Sequence, residues 1–380
     1  MRILMAIVLC TLLFGCERKA EPPQASTTEP SPAITEQTGR FVINPRFTNS
    51  SNFSDGLAPV RLGDGNTAKW GFIDKQGNMV INPQFDFADS FADGLAAVRI
   101  NGAKAGKWGF IDRQGKVVID AQFNFVTAFS EGLAAAVPIA DNKLGKWGFI
   151  DKEGKFAVKP QFDLVASFAD GLAVVRIGDD KSGKWGFIDK QGNMAIKPQF
   201  DQGSAFSEGL AAVRLGNDKS GKWGFIDKQG NMVIKPQFDQ GSAFSEGLAA
   251  VRLGSDKSGK WGFIDKQGNM VIKPQFADYF SFSEGLASVQ IGDHKAGKWG
   301  FIDKQGNMVI KPQFNSEGVF YSGLAQIRIG DGLTGKWGYI DKQGNTVIKP
   351  QFVQSGAFSE GLAAVRARDK TSGGWGYISR

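Results

Sequence analysis

Acidic side chains that recur at one spacing are the first residues in this chain with the means to do chemistry. Asp74, Asp112, Asp151, Asp189, Asp227, Asp265, Asp303 and Asp341 each follow an isoleucine, and carboxylates at that density could bind a metal ion or work in pairs as general acid and base. Each of them also opens an Asp-x-x-Gly step, where the aspartate caps a turn and the glycine supplies the positive φ that closes it. Turn geometry therefore explains them without a ligand. The loops Gly63-Asp64-Gly65-Asn66 and Gly178-Asp179-Asp180-Lys181 lack the ligand count and spacing of a calcium loop. His294 is the single histidine, and Cys10 and Cys16 are the only cysteines, so no zinc set and no nucleophile with its base can be assembled. We expect no catalytic residues, no metal, no cofactor and no enzymatic activity.

Aromatic and basic side chains recur in the same way. All nine tryptophans, Trp70, Trp108, Trp147, Trp185, Trp223, Trp261, Trp299, Trp337 and Trp375, are followed by glycine. Such Trp-Gly-Phe steps could offer stacking platforms to sugars, but rings repeated at one strand position are what stacked repeats bury, with glycine admitting a neighbouring strand. They are assigned to the structural core of the repeat. Lysines before tryptophan (Lys222, Lys260, Lys298, Lys336) and after isoleucine (Lys235, Lys273, Lys311, Lys349) could form basic columns for anionic glycans or headgroups. The alternative is a solvated face on which they alternate with acids.

The elements that position these residues follow from the period. Successive tryptophans stand 38 residues apart, with one interval of 39. The extra residue falls between Trp108 and Trp147, where Pro138 to Leu144 read as a loop. Within one unit, Asn231 to Phe238 form a β-branched run broken by Pro236. Leu248 to Leu253 alternate apolar residues, and Lys260 to Asp265 place Trp261 and Phe263 on one face. We therefore expect an all-β protein of nine tandem 38-residue units, each of three short antiparallel strands. Residues 199–236 and 237–274 differ only at Asn217 and Ser255, which suits a stacking surface better than a unique site.

The first unit begins on the proline-bearing strand, Phe41 to Phe47, and the last ends on the tryptophan-bearing strand, Trp375 to Ile378. An open, superhelical, solenoid-like array is the favoured expectation, because three strands are few for a propeller blade and nine blades exceed the usual number. The alternative is a closed, propeller-like ring with the first and last strands paired. Contact between residues 41–47 and 375–378 decides between them.

Residues 1–15 have the charged start and short apolar core of a secretory signal, too short to span a bilayer. The run Leu13-Phe14-Gly15-Cys16 resembles the lipobox of bacterial lipoproteins, and that resemblance implies lipid attachment at Cys16. Glu17 after it, rather than aspartate, implies the outer membrane in preference to the inner. Residues 16–38, rich in Pro, Ser and Thr, read as a flexible tether, and 39–380 as the repeat domain. The formal charge is +7, yet between Arg214 and Glu246 the five bases Arg214, Lys219, Lys222, Lys228 and Lys235 face the four acids Asp218, Asp227, Asp239 and Glu246. A surplus that small and that evenly spread argues against nucleic acid.

The segments Lys-Trp-Gly-Phe-Ile-Asp-Lys-Gln-Gly-Asn, Val-Ile-Lys-Pro-Gln-Phe and Phe-Ser-Glu-Gly-Leu-Ala resemble the WG, or KWG, repeat of bacterial proteins. The resemblance covers the nine units, and the last departs at Gly374, Tyr377 and Ser379. It implies an exported or surface-attached protein and no shared catalytic residues. The expectation is a lipid-anchored envelope protein acting as a scaffold for another envelope or surface protein, anchored to the membrane by its lipid. A glycan- or polyanion-binding module is the alternative. Units vary most in the turns before tryptophan and in the connections that hold Tyr279 and Tyr321, the candidate ligand-binding loops.

Overall fold

The computed structural model describes residues 39–100, 106–139, 145–179, 181–216, 220–255, 258–293, 295–330, 334–367 and 374–380. The expected signal, Cys16, the tether and His294 lie outside the described residues. Among those described there are strands, one 3-10 turn at Gly65–Thr67 and no α-helix.

Blade 6, which holds Trp261, shows how the repeat builds itself. A short strand, Gln240–Gly241, pairs with an arginine strand, Ala249–Leu253. That strand pairs with a tryptophan strand, Lys260–Ile264, which in turn pairs with a proline strand, Met270–Phe276, all antiparallel. Each unit thus has four strands where the sequence suggests three. The fourth escapes pattern reading because it is two residues long and continues the preceding proline strand after one linking residue. In blade 5 that link is Asp239, whose N–H already donates to the Arg252 carbonyl of blade 6 at 2.9 Å. Between blades 2 and 3 the strand runs unbroken as Val117–Val126.

The glycine of the tryptophan strand lets the proline strand approach closely. Trp261 faces Phe276 while Phe263 faces Ile272, so the proline strand bulges across Gly262. A Cβ there would sit 2.7 Å from the Pro274 nitrogen and 2.9 Å from the Lys273 carbonyl carbon. Proline suits the bulge because it has no N–H to leave unpaired. The same strand turns Val271, Lys273 and Gln275 outward, and proline with lysine guards that sheet edge against unwanted pairing.

The hairpin before each proline strand forms as the sequence indicates. Gly230 (φ 83°) donates to the Asp227 carbonyl at 3.0 Å. The Asp227 carboxylate accepts the Gln229 and Asn231 N–H groups at 3.0 and 2.8 Å. Asn231 Nδ2 donates to its second oxygen at 2.9 Å.

Blades pack face to face, and each hydrophobic cluster draws on two of them. Leu210, Phe225, Ile234 and Phe238 of blade 5 close on Phe244, Val251 and Ile264 of blade 6. The corresponding cluster at the chain ends joins Ile43, Phe47 and Tyr377 of blade 9 to Phe53, Val60 and Ile73 of blade 1. The N-terminal strand Phe41–Phe47 is the proline strand of blade 9, with Phe41 paired to Ile378, Ile43 to Tyr377 and Phe47 to Trp375. Of the two arrangements allowed by the sequence, the structure has the closed ring, and the expectation of an open array is corrected. The physical reason is that a nine-fold repeat whose strands are divided between its ends leaves two complementary edges. Pairing them satisfies both sets of backbone groups and buries Phe47 and Phe53 as deeply as any internal ring.

Antiparallel order places the Asp-x-x-Gly hairpins and the Ser-Glu-Gly-Leu turns at one end of every blade, the turn end. The turns before tryptophan and the one-residue links lie at the other, the loop end. At the turn end a ring of staples joins the blades. Asp55, Asp93, Glu131, Asp170, Glu208, Glu246, Glu284, Ser322 and Glu360 all have φ between 51° and 54°, a left-handed conformation that costs a non-glycine residue about 1 kcal/mol. The acid of one blade accepts the N–H of the glycine in the next. Glu208 takes Gly247 at 3.0 Å, Glu246 takes Gly285 at 2.9 Å and Glu284 takes Gly323 at 3.0 Å. A lysine of the next blade's hairpin completes most staples, as Lys266 does with Glu208 at 3.1 Å. Closure uses the same device, since Glu360 accepts Gly56 N–H at 3.2 Å and pairs with Lys75 at 2.9 Å. Ser322 alone has no carboxylate to offer Gly361.

Candidate interaction surface

The repeated carboxylates at the turn end are engaged in structure, so the loop end is where a site has to be sought. Its floor is a row made of one residue from each strand. In blade 6 the row runs Gln240, Arg252, Trp261, Phe276. The arginine lies over the tryptophan ring across the strand pair, 5.7 Å from its centroid for Arg252 and Trp261, 5.7 Å for Arg99 and Trp108, and 5.6 Å for Arg328 and Trp337, a spacing at which the guanidinium is attracted to the ring face. This ledge was not legible from the spacing of Lys and Trp alone. The Arg–Trp offset of nine residues in antiparallel strands was the signal that could have found it.

Trp70, Trp185, Trp261 and Trp299 are buried. Trp108, Trp147, Trp223, Trp337 and Trp375 are half-buried. All nine belong to or pack against the inter-blade clusters. Tyr279 and Tyr321 come from blades 7 and 8 but do not converge. Tyr279 is half-buried, with its ring 4.4 Å from that of Trp261 and 5.8 Å from that of Phe263. Tyr321 stands where sister units have the serine of Ser-Glu-Gly-Leu, and burial raises its phenol above the usual value.

Between neighbouring blades, the link residue after each proline strand lies across from the residue that precedes the tryptophan, which is lysine in blades 1 to 8. At four seams the link residue is aspartate. Lys69 binds Asp86, Lys146 binds Asp163 and Lys184 binds Asp201, each at 2.5 Å, and Lys222 binds Asp239 at 2.6 Å. The second oxygen accepts a glycine N–H of the next blade, Gly254 for Asp239 and Gly216 for Asp201, both at 2.8 Å. Burial pushes the Asp239 carboxyl up. The Lys222 hydrogen bond, the Gly254 N–H and the charges of Lys222 and Arg252 outweigh that and hold it below the usual range. Lys222 is therefore part of a seam pair, not of a free column. Lys235, Lys273, Lys311 and Lys349 are exposed on the proline strands.

The last seams depart from this pattern. Ala277, Asn315 and Val353 replace the aspartate in blades 6, 7 and 8, as Asn124 does in blade 2 and Thr48 in blade 9. Two surface cavities, of about 370 and 360 Å³, lie beside Val353. The first is lined by Phe41, Lys336, Pro350, Gln351, Phe352 and Ala367, and the second by Arg328, Trp337, Val353, Gln354, Ser355 and Trp375. Among the described residues there is no cluster of three or more His, Cys, Asp or Glu side chains.

The profile of the WG containing repeat matches at residues 36–65, 70–102, 108–137, 147–181, 185–219, 223–257, 261–293, 299–332 and 337–370. The chain belongs to the WG-containing repeat family. Eight of the nine matches begin on a tryptophan strand and so straddle two blades, while the first, 36–65, precedes Trp70. No curated protein matches the chain. Among solved structures it is similar to a crystal structure of a eukaryotic initiation factor, with a TM-score of 0.54 and 16% identity over 79% of this chain and 88% of that one. At that identity the likeness concerns the fold alone. Oligopeptidase B from Trypanosoma brucei gives a TM-score of 0.44 at 9% identity, over 86% of this chain and 54% of that one. A prolyl endopeptidase gives 0.45 at 10%, over 87% and 55%. The WG-repeat chain thus spans about half the length of these peptidases.

Proposed function

We propose that this WG-repeat protein is a non-enzymatic scaffold of the bacterial cell envelope. In this reading it is held to the outer membrane through a lipid on Cys16 and binds another envelope or surface protein at the loop end of its ring. The observation that carries the reading is a division of labour between the two ends. At the turn end the acids that recur in every blade cap hairpins or staple blades. At the loop end the repeat gives way, in blades 6 to 8, to Ala277, Asn315 and Val353, with the two cavities beside Val353. A protein that copies its framework and varies the residues at one end of its blades suits recognition of a partner.

Crosslinking on intact cells followed by capture of the protein tests this. The expected result is one protein recovered by the wild type, retained by Lys75→Met at the turn end and lost on Lys298→Glu with Lys336→Glu at the loop end. Capture indifferent to the loop-end changes, or capture of polysaccharide alone, refutes it. For the anchor, incorporation of a labelled fatty acid that disappears in Cys16→Ser is expected.

A polyanion-binding module is the second reading, favoured by one observation. Lys159, Lys197, Lys235, Lys273, Lys311 and Lys349 are all exposed at the same position of six consecutive proline strands, an arc whose affinity for an anionic polymer would fall steeply with salt.

A further inference from the structure

Three lysine positions recur in the unit, and the ring uses only two of them for itself. The lysine before the tryptophan meets a link aspartate, as Lys222 does with Asp239, and the hairpin lysine meets a staple acid, as Lys266 does with Glu208. The third position, fourth in the proline strand, holds Lys159, Lys197, Lys235, Lys273, Lys311 and Lys349 in blades 3 to 8, all exposed. Among the described residues none of these six has an ion pair. Their strands, from Phe156–Phe162 to Thr346–Phe352, contain no aspartate or glutamate, and each ends its sheet. Each buries its third and seventh residues and leaves the opposite face open, where Val233, Val271 and Val309 are 41 to 44% exposed. Blades crowd one another near the axis of a ring and diverge away from it, so an uncovered face marks the outer rim. In blades 9, 1 and 2 the same position holds Asn44, Asn82 and Asp120. The cations therefore form one unbroken arc over six consecutive blades, bounded by a sector that is neutral and acidic.

We propose that this arc is a track along which one linear polyanion lies, a chain that carries phosphate or carboxylate groups at intervals and touches consecutive blades. The inference deepens the polyanion reading and rests on it for the attraction; what it adds is the form of the ligand. A rim curves away from any flat surface, so a bilayer reaches the lysines of adjacent blades only, whereas a flexible chain follows the curve past all six. The outward residues on either side of each lysine, valine or alanine before it and glutamine after it, carry no charge. No aromatic residue shares that face, so nothing on it stacks on nucleic-acid bases. Lysine presents a point charge without the planar fork that selects one anion, and each exposed contact is weak alone. Joined along one chain, later contacts form at a high effective concentration, and affinity climbs with chain length.

The test uses the whole protein and two fluorescent polymers, polyphosphate and poly-L-glutamate, each as a chain of about 60 units and one of about three, with affinity read by anisotropy against salt. The long chains are expected to bind about a hundredfold tighter than the short ones or more, one chain to a ring. For polyphosphate the log–log salt slope is expected near about −4, from six lysines at about 0.7 each. Lys235→Gln with Lys273→Gln and Lys311→Gln should weaken the long chains at least tenfold and halve that slope. Asn44→Lys with Asn82→Lys and Asp120→Lys, which continue the arc round the ring, should steepen it. Lys116→Gln with Lys155→Gln and Lys228→Gln, exposed lysines of the turn end that remove the same charge, should bind like wild type. Failure of every polymer to bind wild type overturns the track and the polyanion reading together. Binding indifferent to chain length, or equal loss in the two lysine-to-glutamine triples, overturns the track and leaves the polyanion reading in place. Tighter binding to vesicles of anionic phospholipid than to either polymer, lost in the rim triple, overturns the chain as ligand in favour of a membrane. Whichever long polymer binds more tightly tells phosphate from carboxylate as the anion.

Discussion

Two alanine substitutions in blade 6 separate close approach from backbone conformation. Gly262 has ordinary φ, but its new Cβ would lie 2.7 Å from the Pro274 nitrogen, 2.9 Å from the Lys273 carbonyl carbon and closer still to the Ile272 oxygen. Ordinary contact begins near 3.4 Å, so the proline strand must withdraw by roughly 0.7 Å or more, and backbone cannot rotate away as a side chain can. Overpacking of about 1–3 kcal/mol, plus about 1 kcal/mol for each strand hydrogen bond stretched at the Phe263–Ile272 pairing, gives about 3–5 kcal/mol for Gly262→Ala. Gly247, at φ 87°, has nothing within 4 Å of the position its Cβ would take. Gly247→Ala should therefore cost only the left-handed strain, about 1–2 kcal/mol. Urea unfolding monitored by circular dichroism gives the two losses, and hydrogen exchange on peptides covering residues 260–276 locates them. The reasoning fails if Gly262→Ala costs no more than Gly247→Ala, or if exchange in the proline strand of blade 6 is unchanged.

Three further outcomes follow from the staples and from one misplaced acid. Burial raises the Glu360 carboxyl, but the Lys75 hydrogen bond, the Gly56 N–H and the Lys75 charge more than offset this and hold it below the usual glutamate value. Its contribution is present above about pH 4.3 and is lost as pH falls through the lowered value. Glu360→Gln should thus lower the melting temperature at pH 7 and leave it nearly unchanged at pH 3. Asp89 is half-buried where sister blades have Ser204 and Ser242, and desolvation raises it to about 6. A raised acid costs nothing while it is protonated in both states; its cost grows from about pH 4 to about pH 6 and is level above that. Asp89→Ser should therefore stabilise by roughly 2 kcal/mol at pH 7.5 and by little at pH 3.5, measured in urea. Ser322→Glu, at φ 54°, should complete the staple to Gly361 and raise stability by about 1 kcal/mol, while Ser322→Gln should give less.

What could be read from the sequence was whatever a single unit determines. The hairpin at Asp227 to Asn231 is legible because the aspartate, the glycine and the asparagine that form it lie within five residues. The packing role of Trp-Gly-Phe is legible because three adjacent residues state it. Glu246 was readable as a recurring acid but not as a staple, since its partner Gly285 lies 39 residues on and only stacking brings them together. The two-residue strand Gln240–Gly241 carries no period to detect. Closure depends on the rotation accumulated over nine blades, which no local pattern encodes. The carboxylate seams needed both the Lys222–Asp239 offset and the identity of the next blade's arginine.

The hydrogen bond from Tyr377 to the Ser51 carbonyl spans 326 residues, and that separation bears on how the molecule folds. Contacts so remote in sequence form late, so the strand Phe41–Phe47 is made first during synthesis and matched last. Until Trp375–Ser379 emerges it stays an unclaimed edge, in a chain whose other tryptophan strands are near copies of its true mate. Two chains that meet at this stage can trade first strands and complete each other's last blade. Slow refolding and concentration-dependent, strand-exchanged dimers are the kinetic signature of a ring locked by its two ends.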